Sequence, residues 1–175
     1  MNWVAFAVLV FLTTVLQTSV APFVAVHTIR PDGMVILAVF FALYARNADA
    51  MLACWIIGLV TDLASLSYWN QANVGLHALG LGLLGVVIVR TRGLTFREGV
   101  LSHMVYTFLT TWAMTFLLGV HLLWGRPDWT GLGQRFAVAF YTAIYTAGVA
   151  PYGHWCLRQI RVLLGLGSGL GEMRR

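Results

Sequence analysis

The sequence predicts an all-α integral membrane protein, a single bundle of six transmembrane helices. Three observations carry this. Of 175 residues, 59% are hydrophobic and only 10% charged, whereas a soluble domain carries about 25% charged residues. Uncharged stretches run over 1–29, 63–89, 99–125 and 136–157, each longer than the roughly 18 residues that mark a spanning helix. Proline, glycine and charged residues interrupt the remainder at intervals suited to short connections.

The first span covers about 3–24. Ser19-Val20-Ala21 has the spacing of a signal-cleavage site. With no basic residue before the apolar run, and the run too long, a retained helix is expected. The second span, about 31–44, is opened by Arg30-Pro31-Asp32-Gly33. Proline at the first helical position forfeits no needed donor, and an acid in the first turn favours the positive end of the helix dipole. The third covers about 48–67. The uncharged runs in these two are only 33–45 and 50–61, so a single re-entrant hairpin is the alternative. Including Pro31, Asp32 and a protein-buried Asp62 brings both near spanning length. A polar loop, Trp69-Asn70-Gln71-Ala72-Asn73, leads to the fourth span at about 75–89, followed by spans at about 99–123 and 136–157. The segment 158–175 is glycine-rich and basic and reads as a flexible cytoplasmic tail.

Orientation follows from the arginines, since short cytoplasmic loops carry the excess of positive charge. With both ends inside, Arg46, Arg90, Arg92, Arg97, Arg158, Arg161, Arg174 and Arg175 lie on the cytoplasmic side, and Arg30, Arg126 and Arg135 outside. The expected arrangement is multi-pass in a membrane, with both ends on the cytoplasmic side. The net charge of +5 does not indicate nucleic-acid binding, because the arginines sit in loops and no basic run has aromatic interleaving. Cys54 and Cys156 fall within apolar segments and read as small hydrophobes.

Lipid tails give no hydrophobic drive for helix association, so close backbone approach and interhelical hydrogen bonds must supply it. Four stripes fit that need: Cys54, Gly58, Asp62 and Ser65; Ala78, Gly82 and Gly85; His103, Thr107, Thr110 and Met114; Ala139, Ala143 and Ala147. Tyr141, Tyr145 and Tyr152 could pack or line a pocket.

Asp62 is the leading candidate residue. An acid facing lipid at mid-membrane costs about 2.5–3.5 kcal/mol on insertion scales, so it should face protein or water. Arg30 and His77 are placed at the same outer level, which suggests either an Arg30–Asp62 ion pair or an Asp62–His77 hydrogen bond. That cluster is read either as a clamp on helix packing or as a partner- or ligand-facing site. Arg90, Arg92 and Arg97 form a cytoplasmic basic loop that sets topology or contacts anionic lipid or a partner. No catalytic, cofactor or metal-ligating set is legible. The histidines at 27, 77, 103, 121 and 154 have no partner at helical i+3 or i+4 spacing. Gly167-Ser168-Gly169 has no strand–turn–helix context, and one intramembrane acid is few for proton-coupled transport. A non-enzymatic role is expected.

The segment from Arg30 to about Val89 resembles the bacterial rod shape-determining protein family MreD. The resemblance rests on Arg30-Pro31-Asp32, Ala42-Leu43, Asp62-Leu63-Ala64-Ser65 and Gly75-Leu76-His77-Ala78-Leu79 in that order. It departs from the family pattern at two turns, in Ala45-Arg46-Asn47-Ala48-Asp49 and in the lack of a proline just before Gly75. The resemblance implies a membrane component of the cell-elongation machinery that partners with the bitopic protein MreC. Through it, the implied partners are MreB filaments and the peptidoglycan synthases. It marks Arg30, Pro31, Asp32, Asp62, Ser65, Gly75 and His77 as structural or partner-binding positions. The family is also similar in architecture to the S components of energy-coupling-factor vitamin transporters. A vitamin-binding S component or another small transporter is the alternative reading, although the first span, with Thr13, Thr14, Gln17 and Thr18, lacks an alanine-x-x-x-alanine docking face.

Overall fold

A computed structural model describes residues 1–20, 23–25, 29–65, 75–93, 99–124 and 131–166. Six helices follow in order: α1 Trp3–Ser19, α2 Gly33–Tyr44, α3 Asn47–Ser65, α4 Leu76–Thr91, α5 Val100–Trp124 and α6 Leu132–Gln159. Among the described residues there is no strand. Two helices, over Asn47–Ala64 and Val100–His121, are long and apolar enough to cross a membrane.

α2 is the axis of the bundle. It has 12 residues and so is only about 18 Å long, yet it packs against every other helix. Met34 through Leu43 are buried without exception. A helix apolar on all faces has no polar side to show to solvent and is sheathed by neighbours. This accounts for the short uncharged run at 33–45: α2 is closed off by protein rather than lipid. The most extensive helix pairs are α5 with α6 and α3 with α4.

The expected packing stripes are where the helices meet. On α3, Gly58 lies so close to α4 that an added methyl would sit 2.3 Å from the His77 carbonyl oxygen and 2.6 Å from the Ala78 Cα. Gly85 of α4 packs against Cys54, whose Sγ donates to the Ala38 carbonyl of α2 at 3.5 Å. Gly82 is outside this tight seam, its nearest neighbour being the Trp55 ring at 3.5 Å. Ala139, Ala143, Ala147 and Ala150 of α6, and His103, Thr107, Thr110 and Met114 of α5, are all buried.

The outer surface is the reverse. Val4, Val8, Phe11 and Leu12 of α1, Leu79, Leu83 and Val87 of α4, Leu101, Val105 and Leu109 of α5, and Phe136, Phe140 and Ile144 of α6 are exposed. Polar and charged residues, among them Asp62, Arg92, His103, Thr107, Thr111, Thr146 and His154, are buried. The bundle is apolar outside and partly polar within.

Several boundaries differ from the sequence reading. α1 ends at Ser19 rather than near residue 24. Pro22 lacks an N–H and disfavours helix in the residue before it, which opposes continuation. α2 starts at Gly33, so Pro31 precedes the helix and Asp32 is its N-cap. α6 begins four residues earlier than residue 136 and continues to Gln159. The segment read as a flexible tail from 158 is also revised: residues 160–166 turn back onto the bundle and bury Leu164 and Leu166. Gly165 makes that turn at φ 64°, and the Leu164 carbonyl accepts from the Asn2 amide at 2.9 Å. Apolar side chains at 164 and 166 supply the burial that glycine content alone concealed. Residues 167–175, His27, Arg97 and the 69–73 loop lie outside the described residues.

Candidate functional site

Polar groups gather at both ends of the bundle, and most of them finish helices. At one end α2 begins. The Asp32 carboxylate accepts from the amides of Met34 and Val35 at 3.0 and 3.1 Å, a side-chain N-cap. Gln17 of α1 brackets the same turn, its Nε2 donating to the Pro31 carbonyl at 3.3 Å and its Oε1 accepting from Gly33 N at 2.9 Å. The Asp32 amide donates to Thr146 Oγ1 of α6 at 3.2 Å. Pro31, Asp32 and Gly33 therefore position the central helix between α1 and α6.

Beside it, Asp62 near the end of α3 caps α4. Gly75, the N-cap of α4, has φ 104° and no capping side chain of its own. Its amide donates to Asp62 Oδ2 at 2.9 Å, as does Ala78 N at 3.0 Å. His77 N donates to Oδ1 at 3.1 Å, and His77 Nδ1 lies 2.7 Å from the same oxygen. Asp62 is 1% exposed. A buried carboxylate is tolerated here because N–H donors surround it and the α4 dipole presents its positive end. Of the two expected partnerships, the Asp62–His77 bond is formed. The Arg30–Asp62 ion pair is not: Asp62 is buried and pairs with His77, while Arg30 is exposed. Ser65 is the last residue of α3.

At the opposite end α2 finishes, and a neighbour caps it too. Arg92, just past α4, is 7% exposed. Its Nη1 donates to the carbonyls of Ala42, Leu43 and Ala45 at 2.8, 3.3 and 2.7 Å, and its Nη2 donates to Asn47 Oδ1. These include carbonyls a helix leaves orphaned at its C-terminus, where positive charge is favourable. Arg92 is thus an interior clamp, which corrects the reading of it as a basic loop residue. Its neighbour Arg90 is exposed.

Close by, the Tyr44 hydroxyl accepts from Arg158 Nε and Nη2 at 3.1 and 2.8 Å and lies 3.0 Å from His103 Nε2. The His103 and His154 rings stack with centroids 4.4 Å apart and planes 7° from parallel. The His154 ring nitrogens, Thr107 Oγ1, Thr111 Oγ1 and Trp112 Nε1 are buried without a hydrogen-bond partner. His103, His154 and Arg158 help to wall a cavity of about 450 Å³ between α5 and α6. A second, of about 410 Å³, lies between α4 and α5, and a third, of about 390 Å³, between α1 and α3. Tyr145 donates to the Val24 carbonyl at 2.9 Å, while Tyr141 and Tyr152 are exposed. Among the described residues, no group of three His, Cys, Asp or Glu side chains is placed to hold a metal ion.

Sequence reasoning missed Gln17 and the inward course of Arg92. Gln17 had a signal, an amide amid an apolar run. Arg92 had none, since its loop holds other arginines.

Comparison with known proteins gives a family match. The family model described as rod shape-determining protein MreD matches residues 1–129. No curated protein and no solved structure matches the chain.

Proposed function

The chain belongs to the MreD family of rod shape-determining proteins, and from that premise we propose that it is a non-enzymatic scaffold of the elongation machinery in the bacterial cytoplasmic membrane. In this role it binds an MreC-like bitopic membrane protein, and through it MreB-like filaments and the peptidoglycan synthases. The observation that carries the proposal is the family match, which covers α1 through α5 in full.

Membrane insertion by all six helices is part of the proposal, and the distribution of side chains supports it. Soluble monomers rarely expose contiguous apolar patches beyond a few hundred Å², whereas here apolar side chains face outward on helix after helix. Backbone groups at the helix ends are satisfied by Asp32, Asp62 and Arg92 rather than left to solvent, as hydrocarbon surroundings require. For orientation, the Asn2–Leu164 bond brings both ends of the described bundle to one end. Arg46, Arg90, Arg92, Arg158 and Arg161 lie there too, which favours a cytoplasmic position for that end. The oxygens of Asp62 are engaged by capping donors, consistent with a fixed scaffold rather than a proton carrier.

The test pairs depletion with capture. Loss of the protein should convert rods to spheres, and affinity purification from detergent extracts should recover the bitopic partner. Cells that stay rod-shaped after depletion, together with extracts that yield no such partner, would overturn the proposal.

A further inference from the structure

At the arginine-rich end of the bundle, α5 begins and α6 finishes, and between them lies the cavity of about 450 Å³. Its walls are mostly apolar, with Val100 and Pro151 on either side. Trp155 and Tyr152, both largely exposed, stand on the same wall. Three polar side chains reach it: Arg158, His103 and His154. Arg158 is steered by the Tyr44 hydroxyl and lies over the Tyr44 ring at 5.8 Å from its centroid. His154 is 1% exposed, and neither ring nitrogen has a hydrogen-bond partner. A buried imidazole that stacks on His103 and whose nitrogens are unanswered is a costly arrangement unless another molecule completes it.

An apolar cleft with a few convergent polar groups is the form of a small-molecule site. Basic pockets between helices on the cytoplasmic side suit anionic head groups, and exposed tryptophan and tyrosine favour the head-group level. We propose that this α5–α6 cleft binds the phosphate of an anionic membrane lipid, with Arg158 and His154 as its contacts and the acyl chains leaving past Tyr152 and Trp155. Arg158 supplies the positive charge, and an imidazole N–H of His154 donates to a phosphate oxygen. The leaflet assigned to the site rests on the orientation proposed above; the chemistry of the cleft does not.

Trp155 provides the reporter. The full chain is reconstituted in zwitterionic nanodiscs containing, at equal mole fraction, acyl-brominated phosphatidylglycerol or acyl-brominated phosphatidylcholine. Trp155 emission is taken as the difference between the wild type and Trp155→Phe. Stronger quenching by phosphatidylglycerol is expected. Arg158→Gln should weaken that preference about fivefold, the worth of one arginine near an anionic surface, and His154→Leu should also weaken it. Arg90→Gln, which removes an exposed arginine outside the cleft, should leave it unchanged.

Equal quenching by the two lipids overturns the proposal, as does an equal loss in Arg90→Gln, which would mean general attraction to the surface. A response to inorganic phosphate without a response to phosphatidylglycerol overturns the lipid as its source. Should Arg158→Gln not elute as a folded species, Arg158→Lys and His154→Gln decide: the first keeps the preference and the second reduces it. The opposite pattern overturns the site.

Discussion

Replacing Asp62 by asparagine keeps the outline of the side chain and removes its charge and one acceptor. In the native bundle Oδ2 accepts from Gly75 N and Ala78 N, and Oδ1 accepts from His77 N and meets His77 Nδ1. An NH2 at the Oδ2 position faces the Gly75 and Ala78 amides, and at the Oδ1 position it faces the His77 amide, so either orientation sets it against a backbone donor. One or two buried amide groups at the start of α4 then lose their partner, at about 1–3 kcal/mol each. Loss of negative charge at a helix N-terminus adds about 0.3–2 kcal/mol. A central expectation is about 3 kcal/mol, because the flanking turn can relax and recover part of the loss. For a chain of this size, that lowers the unfolding midpoint by about 6–12 °C. The measurement is thermal unfolding of purified protein in detergent, followed by circular dichroism, with amide exchange at residues 75–78 as a local readout. Exchange should accelerate there more than in α5. A midpoint within about 2 °C of the wild type, with protection at 75–78 intact, would refute the assignment of Asp62 as the cap of α4.

Other consequences follow from the same geometry. Gly58→Ala and Gly85→Ala drive a methyl into the α4 backbone and into Cys54 respectively, and each should cost about 1–3 kcal/mol through overpacking. Gly82→Ala, on the open side of the same helix, should be neutral or stabilising by up to about 1 kcal/mol; parallel melts of the three variants check the contrast. Arg92→Gln strands carbonyls at the end of α2 and should cost about 3 kcal/mol, whereas Arg90→Gln should stay within about 0.5 kcal/mol in the same melts. Reporters fused at the two ends should both report a cytoplasmic position, and a periplasmic signal from either end would break the even span count.

Much of the candidate site was legible as residue types and little of it as geometry. Asp62 stood out because an acid in an apolar run must find a partner, and His77 was among the groups near enough to serve. Arg30 was an equally reasonable partner by charge. In the folded chain Arg30 is exposed while Asp62 is buried under the start of α4, an outcome that no pattern in Arg30-Pro31-Asp32 specifies. Arg90 and Arg92 are alike in the sequence, yet one is exposed and the other is 7% exposed. Two residues along a helix end turn a side chain by more than half a circle, and the position of α2 decides which of the pair faces inward. Leu164 and Leu166 were hidden in a glycine-rich basic segment, where composition pointed to disorder and two apolar side chains were enough to anchor it.

By itself, the sequence determined that this is an all-helical chain built for apolar surroundings, because scarcity and clustering of charge constrain every fold it could adopt. It also determined the small-residue seam of α3 and α4, since close helix approach needs residues such as Gly58 and Gly85. Only the tertiary structure decided that α2 is the axis, and that its C-terminus is capped by Arg92 while the N-terminus of α4 is capped by Asp62. These caps come from other helices, so local sequence near Ala45 or Gly75 carries no trace of them. A charge that finishes a helix from across the bundle is a long-range contact, set only once the helices have packed.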